Sequence, residues 1–127
     1  MLFRSIGYDR YRIIINCLTR LRYVGPNIEL NFVEKNHPGE IKNSTLIPWF
    51  KIKNRANHKY RIIFGHWSNL KFYSGNNIIC LDGGCVFGGA LIAIDIDQPS
   101  TPIAVGASTN YCSISKLEQE YVGETGN

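Results

Sequence analysis

Two short stretches of this 127-residue chain place polar side chains directly after apolar runs. One run ends in Gly65-His66-Trp67, and a later one ends in Leu81-Asp82-Gly83. Glycine lets a chain turn sharply where it leaves a strand. A histidine at such a position can bind a metal ion or act as an acid or base near pH 7, and a carboxylate can accept its second ring N–H. We therefore expect His66 to be a metal ligand and Asp82 to support it through a hydrogen bond.

These two residues do not by themselves complete a metal centre. A two-metal phosphoesterase site needs several ligands to hold its ions roughly 3.5–4 Å apart. An alternative is a zinc site made of Cys80, Cys85 and His66, but the spacing of the two cysteines does not match a zinc knuckle. Without a CxxC pair, the four cysteines are interpreted as reduced thiols.

The elements that must position these residues give an α+β chain. Residues 7–20 place four apolar side chains on one helical stripe, although a β-branched run inside them keeps a strand open as an alternative. A hairpin is predicted across Gly25-Pro26-Asn27. Continuous apolar runs predict interior strands covered on both faces at residues 60–65, 77–81 and 90–96. A short strand at 103–105 and an acidic helix at 113–122 complete the prediction.

Composition and charge restrict the class of protein. With 44% apolar and 19% charged residues, the chain is expected to fold as one domain. It has no apolar run long enough for a membrane span and no signal segment, so we expect a cytoplasmic protein without membrane partners. The net charge of +4 divides into +7 for residues 1–60 (11 Lys and Arg against four Asp and Glu) and −3 for residues 61–127 (three against six).

A basic first half suggests a polyanionic partner, although a solvated basic face is the favoured interpretation. A nucleic acid is not expected, because aromatic and basic residues do not alternate as in a stacking platform. Trp49 lies in an apolar segment, residues 46–50, for which core packing is favoured over stacking on a planar ligand.

Most of the chain, about residues 7–107, resembles the C-terminal half of the symmetrical bis(5'-nucleosyl)-tetraphosphatases, or diadenosine tetraphosphate hydrolases, of the calcineurin-like metallophosphoesterase superfamily. The central matching pieces are Phe64-Gly65-His66-Trp67, Leu81-Asp82, Gly84-Cys85 and Gly88-Gly89. Upstream pieces in the family's order are Thr19-Arg20-Leu21-Arg22-Tyr23, Pro26-Asn27 with Glu29-Leu30, and Pro48-Trp49-Phe50.

The resemblance implies the C-terminal portion of a β-sandwich flanked by helices, as a single partial domain over residues 1–127 with a divergent tail at 108–127. It implies hydrolysis of diadenosine tetraphosphate to two ADP by two divalent ions, Mn²⁺ or Co²⁺, which activate a bridging water. His66 takes the place of a metal ligand in this comparison. Arg20 and Arg22 are the candidates for phosphate contact, with helix capping or exposure to solvent as the alternatives. Trp49 and Trp67 are candidates for stacking on a base, with core packing favoured for both.

The sequence also departs from the family's pattern. The Asp-x-His, Gly-Asp and Gly-Asn-His motifs that open the family's metal site do not occur in it. Gly83 stands where the family usually has Thr, and Val86-Phe87 where it tends to have Cys-Trp. We therefore expect the isolated chain to be inactive, as part of a hydrolase whose missing half is either supplied by a complementary N-terminal half chain or lost from this gene. The alternative is a truncated remnant that at most binds a nucleotide or phosphate. Open strand edges would favour oligomers or poor solubility.

Overall fold

The structure, a computed structural model, describes residues 6–98 and 101–109. In this part of the chain one helix is followed by short strands in three small sheets, which confirms the predicted α+β class. The chain divides into two units, with the boundary between Arg61 and Ile62. The two-layer sandwich and the single partial domain stay predictions. The predicted helix at residues 113–122 lies outside the described residues.

Helix α1 spans Tyr8–Thr19 and replaces the alternative strand at this position. Asp9 lies in its first turn, where a carboxylate interacts favourably with the helix dipole. The predicted apolar stripe is present in the sequence, but no residue of α1 is buried. Leu18, for example, is 81% exposed. The spacing therefore predicted the helix correctly but not a buried face.

The first unit is built on an antiparallel sheet in the order β2-β1-β3. Its strands are β1 (Tyr23–Val24), β2 (Leu30–Asn31) and β3 (Ile47–Pro48). The predicted hairpin joins β1 to β2, and the Gly25 N–H donates to the Glu29 carbonyl at 2.8 Å. Both residues of β1 are fully buried, and together with Phe50 they are the buried hydrophobic residues in the described part of this unit.

The second unit contains a three-stranded sheet in the order β4-β6-β5 and a two-stranded hairpin. The sheet consists of β4 (Ile62–Phe64), β5 (Tyr73–Gly75) and β6 (Ile78–Cys80). Strand β6 pairs in parallel with β4 and antiparallel with β5. The hairpin pairs β7 (Ala90–Ala93) with β8 (Ile103–Gly106) in antiparallel register.

The prediction that three apolar runs form strands covered on both faces is correct only for β6, which is buried throughout. Strand β4 is one of the two outer strands of its sheet, and its Ile63 is 40% exposed. Strand β7 alternates between half-buried and exposed residues because it belongs to a hairpin of two strands. Uniform apolar character therefore did not distinguish the central strand from the outer ones.

Among the residues that the structure describes, no helix combines the length and apolar character needed to cross a bilayer.

Candidate functional site

His66 and Asp82 follow the carboxyl ends of two neighbouring parallel strands. In the register of β4 and β6, Ile62 is opposite Ile78 and Phe64 is opposite Cys80. The Leu81 N–H continues this pairing by donating to the Phe64 carbonyl at 2.9 Å. His66 and Asp82 each stand two residues past the end of their strand. The parallel pairing thus brings both residues to one edge of the sheet, which we call the strand-end rim.

The backbone at His66 is in the left-handed region, with φ 62°. An L-residue other than glycine adopts this conformation at a cost of about 1–3 kcal/mol, and such residues concentrate at functional sites. The next residue, Trp67, is only 1% exposed and begins a turn in which the Leu70 N–H donates to its carbonyl at 2.9 Å. Burial of Trp67 therefore fixes the chain directly after the exposed His66.

Asp82 is held by the glycine-rich turn that follows it. Its Oδ1 accepts a hydrogen bond from the Gly84 N–H at 3.0 Å. Gly84 has φ 69°, and the Ala90 N–H donates to the Gly83 carbonyl at 3.0 Å, which closes the turn against β7. A Cβ on Gly83 would collide with the Ala90 carbonyl oxygen, so only glycine fits there. The hydrogen bond from His66 to Asp82 stays a prediction.

Beside Asp82 is a cleft of about 460 Å³, which lies wholly within the second unit. Apolar residues form most of its lining, and one carboxylate and one thiol are the groups with distinct chemistry. The lining residues are Ile63, Phe64, Gly65, Leu81, Asp82, Gly83, Cys85, Ala90 and Leu91. The cleft is open rather than enclosed, because several of its lining residues are exposed on the surface of the unit.

The donors in the described part of the chain do not make a metal centre. Within residues 6–98 and 101–109, no three His, Cys, Asp or Glu side chains are grouped so that they could hold an ion. The alternative zinc site from Cys80, Cys85 and His66 is therefore not formed. Cys80 is fully buried, and desolvation raises the pKa of its thiol, which favours an inert core residue. His66 and Asp82 do not suffice for the metal centre that the resemblance implies.

Arg20 and Arg22 lie in the first unit, just after α1, and both make local contacts. The Arg20 N–H donates to the Asn16 carbonyl at 2.8 Å, and its Nη1 donates to Asn16 Oδ1 at 3.5 Å. The Nη1 of half-buried Arg22 donates to the Arg20 carbonyl at 3.4 Å. Of the two side chains, only that of Arg22 donates to a backbone carbonyl at the end of the helix, so a capping role is supported for Arg22. Phosphate binding by either residue stays a prediction.

The two tryptophans occupy packed positions. Trp49 is half-buried and meets Phe50 edge-to-face, with ring centroids 5.8 Å apart. The Arg55 guanidinium lies 5.4 Å from the centroid of the Trp49 ring, a cation–π contact that sequence reasoning missed. In the sequence, this contact was indicated only by the basic run that begins at residue 51. Trp67 is buried in the second unit. These contacts favour packing for both tryptophans over stacking on a base.

Comparison with known proteins gives a consistent set of relatives. No protein-family model matches the chain. It is 46% identical over 94 residues to the symmetrical bis(5'-nucleosyl)-tetraphosphatase of Nitrosococcus oceani, which covers 72% of this chain and 34% of the relative. It is 43% identical over 91 residues to the protein of the same name from Methylococcus capsulatus, with 72% and 32% covered. For that of Bordetella pertussis, the identity is 46% over 88 residues, with 69% and 31% covered.

The chain thus spans about a third of the length of these curated relatives, less than the half that its motifs suggested. The predicted resemblance is confirmed as a partial one: over about 72% of its length this chain is similar to part of the symmetrical bis(5'-nucleosyl)-tetraphosphatases.

Proposed function

We propose that this chain forms part of a symmetrical bis(5'-nucleosyl)-tetraphosphatase, an enzyme that hydrolyses a dinucleoside tetraphosphate to two nucleoside diphosphates. The observation that carries the proposal is the placement of His66 and Asp82 at one strand-end rim, in a chain similar to enzymes of that name. Parallel strands of a rigid sheet are a common support for catalytic groups at their carboxyl ends.

In this proposal His66 is one ligand of a centre of divalent ions, Mn²⁺ or Co²⁺. Buried Trp67 holds the backbone at His66, and the Gly84 N–H holds the Asp82 carboxylate by a hydrogen bond, so the backbone at His66 and the Asp82 carboxylate are in place before an ion binds. The other ligands come from polypeptide beyond the described residues, since these do not complete a metal centre. The 127-residue chain by itself is therefore expected to be inactive. Arg20 and Arg22 are proposed to contact the substrate phosphates in addition to their local contacts.

A graft tests the proposal. The matching segment of the Nitrosococcus oceani relative would be replaced by this chain, and diadenosine tetraphosphate hydrolysis would be followed with Mn²⁺ or Co²⁺. We expect the graft to release ADP, the His66→Ala graft to lose activity by roughly a hundredfold or more, and the 127-residue chain alone to release none. ADP release by the chain alone, or an active His66→Ala graft, would contradict the proposal.

A second candidate, a polyanion-binding fragment without catalysis, is favoured by one observation. Residues 51–61 contain five Lys or Arg and no Asp or Glu. Four of these five cations are exposed, and the fifth, Arg55, is the half-buried residue that lies over the Trp49 ring. An inactive graft, together with salt-sensitive binding of diadenosine tetraphosphate by the chain, would favour this candidate over the hydrolase.

A further inference from the structure

We propose that a basic segment of the first unit binds single-stranded nucleic acid, with its cations on the phosphates and Tyr60 stacked on a base. The basic segment is defined as residues 51–61, which include five cations and neither Asp nor Glu. The cations are Lys51, Lys53, Arg55, Lys59 and Arg61. The segment belongs to the first unit, whereas His66 and Asp82 belong to the second. The inference therefore does not rest on the hydrolase, and it names a ligand for the cations that favour the second candidate function.

Most cations of the basic segment are accessible to an external anion. Lys51, Lys53 and Lys59 are exposed, and none of them forms an ion pair with another described residue. Arg61 is exposed as well. Residues 1–60 carry a net charge of +7 (11 Lys and Arg against four Asp and Glu), so this half of the chain has too few carboxylates to neutralise the segment. Neutralisation of phosphates by Lys and Arg is the main source of sequence-independent affinity for nucleic acids.

Local hydrogen bonds fold the middle of the basic segment into two successive turns. The His58 N–H donates to the Arg55 carbonyl at 3.0 Å, and the Tyr60 N–H donates to the Asn57 carbonyl at 3.1 Å. The Arg55 Nη1 also donates to Asn57 Oδ1 at 3.0 Å, while the guanidinium lies over the Trp49 ring. These contacts restrict the backbone of residues 55–60, so less conformational freedom is lost when a ligand binds.

An exposed tyrosine between two of the cations favours a single-stranded nucleic acid over other polyanions. Tyr60 is 66% exposed and stands between Lys59 and Arg61. Proteins bind single strands with cations along the backbone and with aromatic side chains on which the bases stack. Inorganic polyphosphate has no base for such a ring, and a duplex keeps its bases stacked on one another. The chain as a whole lacks a regular alternation of aromatic and basic residues, but rings and cations alternate locally at residues 58–61.

Fluorescence anisotropy tests the phosphate contacts, with the 127-residue chain and labelled single strands of DNA or RNA at several salt concentrations. Two double variants remove the same charge from exposed lysines of the first unit. Lys53→Gln, Lys59→Gln lies inside the basic segment, and Lys35→Gln, Lys42→Gln is the matched control outside it. We expect the first variant to lower the slope of log affinity against log salt concentration by about 1 for each lost phosphate contact. The control is expected to leave that slope nearly unchanged.

Two substitutions of one residue test the stacking contact. Tyr60→Ala is expected to weaken binding of the single strands by roughly tenfold, because it removes the ring on which a base stacks. Tyr60→Phe keeps the ring and is expected to change the affinity little. Unlabelled duplex DNA and inorganic polyphosphate, added as competitors, are expected to displace the labelled strand less effectively than an unlabelled single strand does.

Circular dichroism shows whether each variant remains folded, and the graft in the Nitrosococcus oceani relative carries the same substitutions as a second sample. Absence of binding by the parent protein would overturn the inference, as would equal weakening by the two pairs of lysine substitutions. Polyphosphate that competes as well as a single strand, together with unchanged affinity in Tyr60→Ala, would show a site for any polyanion and contradict the nucleic acid. A graft whose hydrolysis survives His66→Ala would contradict the proposed function and leave this binding site standing.

Discussion

At the scale of single residues, His66 combines an imidazole side chain with a left-handed backbone conformation. Its φ of 62° lies where glycine is favoured, yet glycine stands one position earlier, at Gly65. The backbone at His66 therefore has the conformational cost of the left-handed region, and this residue places an imidazole at the strand-end rim. Within residues 6–98 and 101–109, five other non-glycine residues, Ile28 and Lys71 among them, also have a positive φ, so the backbone conformation by itself does not identify a functional residue.

This cost can be measured by comparing two variants that both lose the imidazole. We expect His66→Gly to have a free energy of unfolding about 1 kcal/mol higher than His66→Ala, because the left-handed conformation is unfavourable for alanine but not for glycine. Urea denaturation of the two variants makes the measurement. Equal stability of the pair would show that the backbone at this position is not strained.

Tyr23 gives the first unit a dependence on alkaline pH. Burial, aided by the Glu34 carboxylate and opposed by Arg22, raises the pKa of Tyr23 to about 12. In the unfolded chain a tyrosine ionises near pH 10. Stability that is present below about pH 10 is therefore lost as the pH rises toward 12, because the unfolded chain releases the proton first.

Tyr23→Phe is expected to abolish this alkaline loss. At neutral pH it should cost about 1 kcal/mol, because the Tyr23 hydroxyl no longer donates to the Asn36 carbonyl at 2.7 Å. Urea denaturation at about pH 8 and about pH 11 would separate the two effects. Tyr60→Phe, at an exposed tyrosine, is the control. If the Tyr23→Phe protein loses as much stability at high pH as its parent, a different group is responsible.

At the scale of elements, the glycine-rich turn after β6 holds Asp82 in place. We expect Gly83→Ala to destabilise the second unit by roughly 1–3 kcal/mol, since its Cβ would overlap the Ala90 carbonyl oxygen. Gly65→Ala is the matched control, because no atom lies within 4 Å of the Cβ it would add. Thermal denaturation compares the two. A Gly83→Ala protein as stable as the Gly65→Ala protein would show that the turn can relax without cost.

The same elements show how far the sequence allowed the fold and site to be predicted. Helix α1, the hairpin across Gly25-Pro26-Asn27 and the strand-end positions of His66 and Asp82 followed from periodicity and turn residues. Burial did not, because it depends on neighbours distant in sequence: β4 and β7 are as apolar as β6 but lie at outer positions. The cation–π contact of Arg55 with Trp49 likewise depends on how a loop folds back.

At the scale of the whole molecule, three features of the described residues accompany the partial match to the relatives. The chain spans about a third of its relatives' length. In the part that the structure describes, helix α1 has no buried residue, Leu91, Ile103 and Val105 of the β7–β8 hairpin are exposed, and the strand-end rim has too few donors for a metal centre. Each of these is expected of a segment that reaches its working state only with further polypeptide. Under the proposed function, the activity of the chain therefore depends on the polypeptide that supplies the remaining metal ligands.

The central claim, that His66 is a metal ligand, is tested most directly by Mn²⁺ affinity. Isothermal titration calorimetry would compare the graft in the Nitrosococcus oceani relative with its His66→Ala and Gly65→Ala variants. We expect His66→Ala to weaken Mn²⁺ binding by about tenfold or more and Gly65→Ala to leave it nearly unchanged. An affinity that does not change when His66 is replaced by alanine would contradict the account.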